Sequence, residues 1–233
     1  MRTIAIMQPY FLPYIGYFQL IAAADVFIIY DNIKYTKRGW INRNRMLKNG
    51  KDVMFSLPLK SESDSKNIGQ RELSGEFSRN KLLNQFKNVY RRAPYFELTF
   101  PLIEEIVRHR DENLFCYLHH SIVKICEHLG IRTEVRISSD MIINHELKSQ
   151  DKVLALCEAA GASIYVNNIS GMELYSKEGF REKGIELKYL SSNLFKYMQS
   201  GPDFVPYLSI VDVLMFNSTE AIQNCISTNY ELL

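Results

Sequence analysis

The chain has 233 residues, 46% of them hydrophobic and 23% charged, which excludes a disordered or fibrous polymer and gives enough length for one well-filled core. A net charge of +2, with no polybasic tail, exerts no strong pull toward nucleic acid or an anionic membrane. No apolar run reaches the ~18 residues of a membrane helix and the start lacks the order of a secretion signal, so the expected location is the cytoplasm.

Ile4 to Met7 reads as a short buried strand. It stops at Gln8-Pro9-Tyr10-Phe11-Leu12-Pro13-Tyr14, a loop stiffened by two prolines that cannot donate to a sheet ladder. An apolar stretch from Phe18 to Ala24 follows, then a second β-rich run, Val26 to Tyr30, ending at Asp31. The spacing predicts a βαβ unit with a parallel strand pair. Asp52 to Leu59 reads as a third strand, and the polar, Ser-rich Lys60 to Gln70 as a loop or lid.

From Ser78 to Leu129 the apolar residues recur at three- and four-residue intervals, punctuated by Pro94 and Pro101. This predicts three helices, and with them a helical subdomain at about 78–130. Thr133–Ser138 and Ser163–Val166 read as strands around a helix at Gln150–Ala160, Ile185–Tyr189 as the last strand, and Val205–Phe216 as a closing helix. The expected fold class is α/β, a mainly parallel sheet with flanking helices and a helical middle segment, in a single domain over 1–233. Cys116, Cys126, Cys157 and Cys225 form no CxxC pair and read as reduced core thiols. His109, His119, His120 and His128 show no metal-ligand spacing, and no metal site is expected.

The loop after the first strand lies where open α/β folds bind ligands, and its aromatics and Gln8 suit a binding wall. Asp31 to Arg45 is the segment densest in functional groups, with Lys34, Lys37, Arg38, Arg43 and Arg45 around Trp40, Asn42 and Asn44. Such cations suit phosphates or carboxylates; a solvated hairpin is the bland alternative. Two strand ends carrying Gln8, Tyr10 and Asp31 would hold an anionic ligand such as a nucleotide sugar. Asn167, Asn168, Gly171 and Tyr175 follow another strand end, and Gln199 is a polar group in an aromatic setting. Asp212 stands in an apolar helix and must find a partner; Lys37, Arg43 or Arg45 are the expected ones.

Gln8-Pro9-x-x-x-Pro13, Gly16-Tyr17-Phe18, Asp25-Val26-Phe27, Asp31, Lys37-Arg38 and Asn42-Arg43-Asn44-Arg45 resemble the WbqC-like family. Leu129-Gly130-Ile131, Ser138-Ser139, Lys148-Ser149-Gln150-Asp151, Tyr197-Met198-Gln199 and Ser209-Ile210-Val211-Asp212 extend the resemblance to nearly the whole chain. Two departures are Met7, where the family usually has His, and Asn167-Asn168, where it usually has a Ser-Gly pair. A thioether moves no proton at neutral pH, so Met7 cannot replace a general base.

The resemblance implies a role in O-antigen or lipopolysaccharide biosynthesis, as a transferase acting on a nucleotide-linked amino sugar and placing glycine or another acyl group on the sugar amine. ATP or an activated acyl donor would then be required. Asp31 would take the proton and Gln8 or Asn42 would donate to the oxyanion. Lys37, Arg38, Arg43 and Arg45 would serve the phosphates, with Tyr10, Asn44, Tyr175, Gln199 and Asp212 completing the substrate site. The alternative is a non-catalytic sugar-nucleotide-binding or assembly protein of the same pathway. Nucleic acid enters only if a charged tRNA is the donor, and a homo-oligomer is compatible with the sequence.

Overall fold

A computed structural model describes every residue except Asp64 and Pro202. The main sheet contains β1 (Thr3–Met7), β2 (Val26–Ile29), β5 (Glu134–Ile137), β6 (Ile164–Asn168), β7 (Glu186–Ser192) and β8 (Tyr230–Leu232). Its spatial order is β5-β2-β1-β6-β7-β8, with only β8 antiparallel to its neighbour. Counting the sheet's strands as the chain meets them gives 3-2-1-4-5-6, the doubly wound order whose winding reverses between β1 and β6. The α/β class with a mainly parallel sheet is as expected.

Side-chain alternation divides the core into two layers. Ala5, Phe27, Ile29, Val166 and Leu190 face one side, against α1 (Ile15–Ala22), α7 (Ile210–Phe216) and α8 (Thr219–Thr228). The same apolar cluster continues through α2 (Arg79–Tyr90), α3 (Phe96–Arg108) and α4 (Leu114–His128), the three helices of the middle segment. Ile4, Ile6, Val26, Ile28, Tyr165 and Tyr189 face the other side, against α5 (Ser149–Ala159) and α6 (Lys177–Glu182).

Several elements differ from the sequence expectations. The strand expected over 52–59 is β4 (Lys51–Ser56), and it pairs antiparallel with β3 (Arg43–Lys48) in a separate hairpin rather than joining the sheet. Asn49 and Gly50 make the turn at φ 52° and 74°, the conformation of a two-residue hairpin whose twist matches its strands. Pro101 lies inside α3 instead of ending it. Its face is exposed, so water can reach the Glu97 carbonyl that loses its helical donor.

The helix expected at 205–216 starts only at Ile210. Pro206 precedes Tyr207, whose φ is 57°, and Ser209 caps the first turn by accepting from Val211 N. Strand β8, not 185–189, is the last strand, and α6 and α8 were not anticipated. Residues 60–70 are mostly irregular, but they are tied down by the bridge between Lys34 and Asn67 and by a 3₁₀ turn at Ile68–Gln70; residue 64 of the expected lid lies outside the described residues. All four cysteines are free; Cys126, Cys157 and Cys225 are buried, while Cys116 is exposed because it lies on the solvent side of α4.

Candidate functional site

The carboxyl ends of β1 and β6 diverge at the point where the winding reverses, and the loop after β1 fills the crevice. Asn168 Nδ2 donates to Tyr14 Oη at 3.2 Å across this junction. Gln8 Nε2 donates to Tyr10 Oη at 2.8 Å, and Tyr17 Oη donates to the Gln8 carbonyl at 3.2 Å. Burial raises the phenol pKa of both Tyr10 and Tyr17, chiefly by desolvation, so both remain neutral hydroxyls at ordinary pH.

The loop is anchored by a three-way junction of distant segments. Asn44 Nδ2 donates to the carbonyls of Phe11 (3.2 Å) and Leu12 (2.8 Å), and its Oδ1 accepts from Arg45 N at 2.8 Å. Ser209 Oγ donates to the same Leu12 carbonyl at 2.7 Å, while Ser209 N reaches the Arg45 carbonyl and Ile210 N the Pro13 carbonyl. Leu12 is thereby held at φ 46°, a left-handed conformation costly for a branched side chain unless surrounding bonds impose it.

Above this junction is a cavity of about 270 Å³ lined by Tyr10, Pro13, Tyr14, Trp40, Asn44, Arg45 and Tyr207. The Arg45 guanidinium lies 5.6 Å from the Trp40 ring centroid, pairs with Asp52 at 2.8 Å and donates to the Tyr207 carbonyl at 3.2 Å. Its Nε is buried without an acceptor. A second cavity of about 30 Å³, mostly apolar, shares Tyr14 and Tyr207 as its wall with the first. Of the residues expected from the sequence, Tyr10, Asn44 and Arg45 meet in the larger cavity.

The other expected residues are distributed around it. Asn42 accepts from Tyr35 Oη and donates to the Leu57 carbonyl, both at 2.7 Å, so its amide is engaged within the protein. Arg43 donates to the Gly39 carbonyl at 2.9 Å, and Lys37 and Arg38 are exposed. Gln199 closes its own loop through paired bonds to Val205. Tyr175 packs on the opposite face of the sheet, edge-on to Tyr165 and Phe180. Asp212 does not tether the cations: its oxygens accept from Tyr90 Oη at 3.0 Å and Tyr197 Oη at 2.8 Å, because α7 turns it into the core toward α2. Desolvation raises its pKa, and the two tyrosine donors partly oppose that rise.

Asp31 sits at the carboxyl end of β2, as expected, but it faces β5. Its Oδ1 accepts from Ser138 Oγ at 2.7 Å and Ser139 N at 2.9 Å. Gly69 N donates to the Asp31 carbonyl at 3.0 Å, so the segment expected as a lid rests on this residue.

Two groups beside Asp31 were not singled out from the sequence. Lys152, only 5% exposed, donates to the Asn32 carbonyl at 3.3 Å and lies 5.4 Å from the Tyr30 ring centroid. Burial lowers its pKa, with Asp31 pulling in the opposite direction. His145 Nδ1 lies 2.9 Å from Asn32 Nδ2. The available signal was the position of Lys152 on the apolar stripe of its helix, one turn before Leu156. Among the described residues no cluster of three or more metal-ligating side chains occurs, and no helix is long and apolar enough to cross a membrane.

A Mycobacterium tuberculosis protein, Uncharacterized protein Rv1507c, is 29% identical over 226 residues, covering 95% of this chain and 96% of the relative. No solved structure matches. The WbqC-like protein family model matches residues 8–224, a span holding the loop after β1, the hairpin, the Asp31 cluster and the Ser209 junction; the chain belongs to the WbqC-like family.

Proposed function

We propose that the protein is a transferase of surface-polysaccharide biosynthesis that acylates, with glycine or another acyl group, the amine of a nucleotide-linked amino sugar in the cytoplasm. The observation carrying this reading is an aromatic cavity with an arginine in its wall at the reversal point of a doubly wound sheet, where such folds bind ligands. In the transfer, the amine nitrogen attacks the carbonyl carbon of an activated acyl donor, made with ATP or supplied ready. The N–C bond forms, the bond to the leaving group breaks, and one amine proton passes to a base.

Asp31 is the candidate base, through the oxygen not held by Ser138, and it requires the Gly69 segment to lift. Gln8 or Asn42 is the candidate for the oxyanion, each through the amide N–H not given to Tyr10 or to the Leu57 carbonyl. The test is a thermal-shift screen with nucleotide amino sugars, free nucleotides and amino acids, followed by mass detection of acylated product. A shift larger with the nucleotide amino sugar than with the free nucleotide, and a product of the expected mass, supports the reading; the absence of both refutes it. Asp31→Asn should abolish turnover while affinity falls only modestly.

A second reading, a non-catalytic sugar-nucleotide-binding or assembly protein, draws on one observation. Asn42 spends its amide inside the protein, one Asp31 oxygen is held by Ser138 and Ser139, and Met7 at the end of β1 can move no proton. Binding of the nucleotide sugar with no turnover under any acyl donor would favour it.

A further inference from the structure

We infer that the 270 Å³ cavity holds the base and phosphate of the nucleotide, with the sugar outside it toward Gln8, so that Trp40 and Tyr207 form a stacking clamp. This rests on the nucleotide-sugar reading above and divides that ligand between two places. The cavity is close to the lower bound of small-molecule sites, ~300 Å³. It takes a planar ring with a phosphate, and a sugar joined to that phosphate would extend through its open side.

Its walls also suit that division. Trp40 is 41% and Tyr207 62% exposed, unusual for rings with so much apolar surface, and stacking on a base would cover both. Tyr14 meets Tyr207 edge-on at 6.1 Å and backs the clamp. Tyr207 is held on it by backbone at φ 57° and by Arg45, which grips its carbonyl.

The phosphate needs a donor. No glycine-rich turn follows β1; Pro9 and Pro13 occupy that loop, and α1 begins behind Tyr14. The backbone cradle that dinucleotide folds offer to phosphate is therefore missing. Arg45, whose side chain lines the cavity and whose ion pair is with the half-exposed Asp52, supplies the alternative. The remaining wall, Tyr10, carries Gln8 on its hydroxyl, which directs whatever leaves the cavity toward the end of β1, where the transfer chemistry is placed.

Trp40 is the single tryptophan of the chain, so its fluorescence reports on this cavity alone. The experiment titrates the full-length protein with uridine and thymidine diphosphates, with the matching nucleotide amino sugars, and with an amino-sugar 1-phosphate lacking a base. The expected result is a saturable fluorescence change with the diphosphates and nucleotide sugars and none with the sugar phosphate. Calorimetry on Tyr207→Ala and Arg45→Met should show affinity for the diphosphate about tenfold weaker in each, with Tyr207→Phe close to the parent.

A response to the sugar phosphate alone overturns the inference, since the cavity would then take the sugar. If nucleotide sugars raise the melting temperature but leave Trp40 fluorescence and the affinities of the Tyr207 and Arg45 variants unchanged, the base lies elsewhere; the inference fails and the proposed function stands. If no nucleotide gives either signal, both fail together.

Discussion

Asn44 shows how a residue suited to ligand binding can be committed to the scaffold instead. Its amide closes bonds to Phe11, Leu12 and Arg45, so Asn44→Ala should strand the Phe11 carbonyl, leave the Leu12 carbonyl to Ser209 alone, and cost about 1–3 kcal/mol in urea unfolding through the loss of buried partners. Asp212 gives a pH-dependent counterpart. Its folded-state pKa is raised above the ordinary 3.8 by burial, so the native state binds its proton more tightly than the unfolded chain. The stability this contributes is complete below 3.8 and is lost as pH rises through the folded-state pKa. Asp212→Asn lacks that titration, so the urea midpoint of the parent should decline relative to the variant across this window; parallel midpoints would show that the carboxyl does not titrate there. At this scale the sequence marked the right neighbourhood, since Tyr10, Asn44 and Arg45 do line one cavity. It could not distinguish an amide facing a ligand from one facing a carbonyl, because both choices use the same residue and differ only in backbone placed by segments more than 30 positions away.

Elements were legible wherever periodicity outweighed composition. The three helices of the middle segment announced themselves through apolar spacing, whereas β3 was hidden because the buried alternate positions are Asn44 and Met46, so a polar residue interrupts the apolar pattern. The Asn49-Gly50 pair was the missed signal of the hairpin. Gly50 has φ 74° with open space where a Cβ would project, so Gly50→Ala should cost roughly 1–2 kcal/mol of conformational strain alone, read from a thermal midpoint. Pro101 tests the opposite direction. It occupies the interior of α3 on an exposed face, so Pro101→Ala should restore a helical bond and raise stability by about 1–3 kcal/mol. An unchanged or lower midpoint would mean the helix is bent to fit its neighbours and the proline is part of that fit.

For the molecule as a whole, the parallel sheet followed from alternating strand and helix patterns, but its antiparallel edge did not, because β8 is only three residues long. Small as it is, β8 occupies the outer side of β7. Deleting residues 230–233 should leave that edge unpaired and produce concentration-dependent association in light scattering. The junction of Leu12, Asn44 and Ser209 has a different consequence at this scale. Three stretches of chain, nearly two hundred residues apart at their extremes, meet at the Leu12 carbonyl, and beside it the backbone amides of Ser209 and Ile210 donate to the carbonyls of Arg45 and Pro13. Those two amides adjoin the exposed Tyr207, yet Ser209 N meets solvent deuterium only when the hairpin moves off it and Ile210 N only when the first loop does. Their exchange should be far slower than that of the neighbouring chain, at the pace of the molecule's larger openings, so a single pair of amides would keep time for the whole junction.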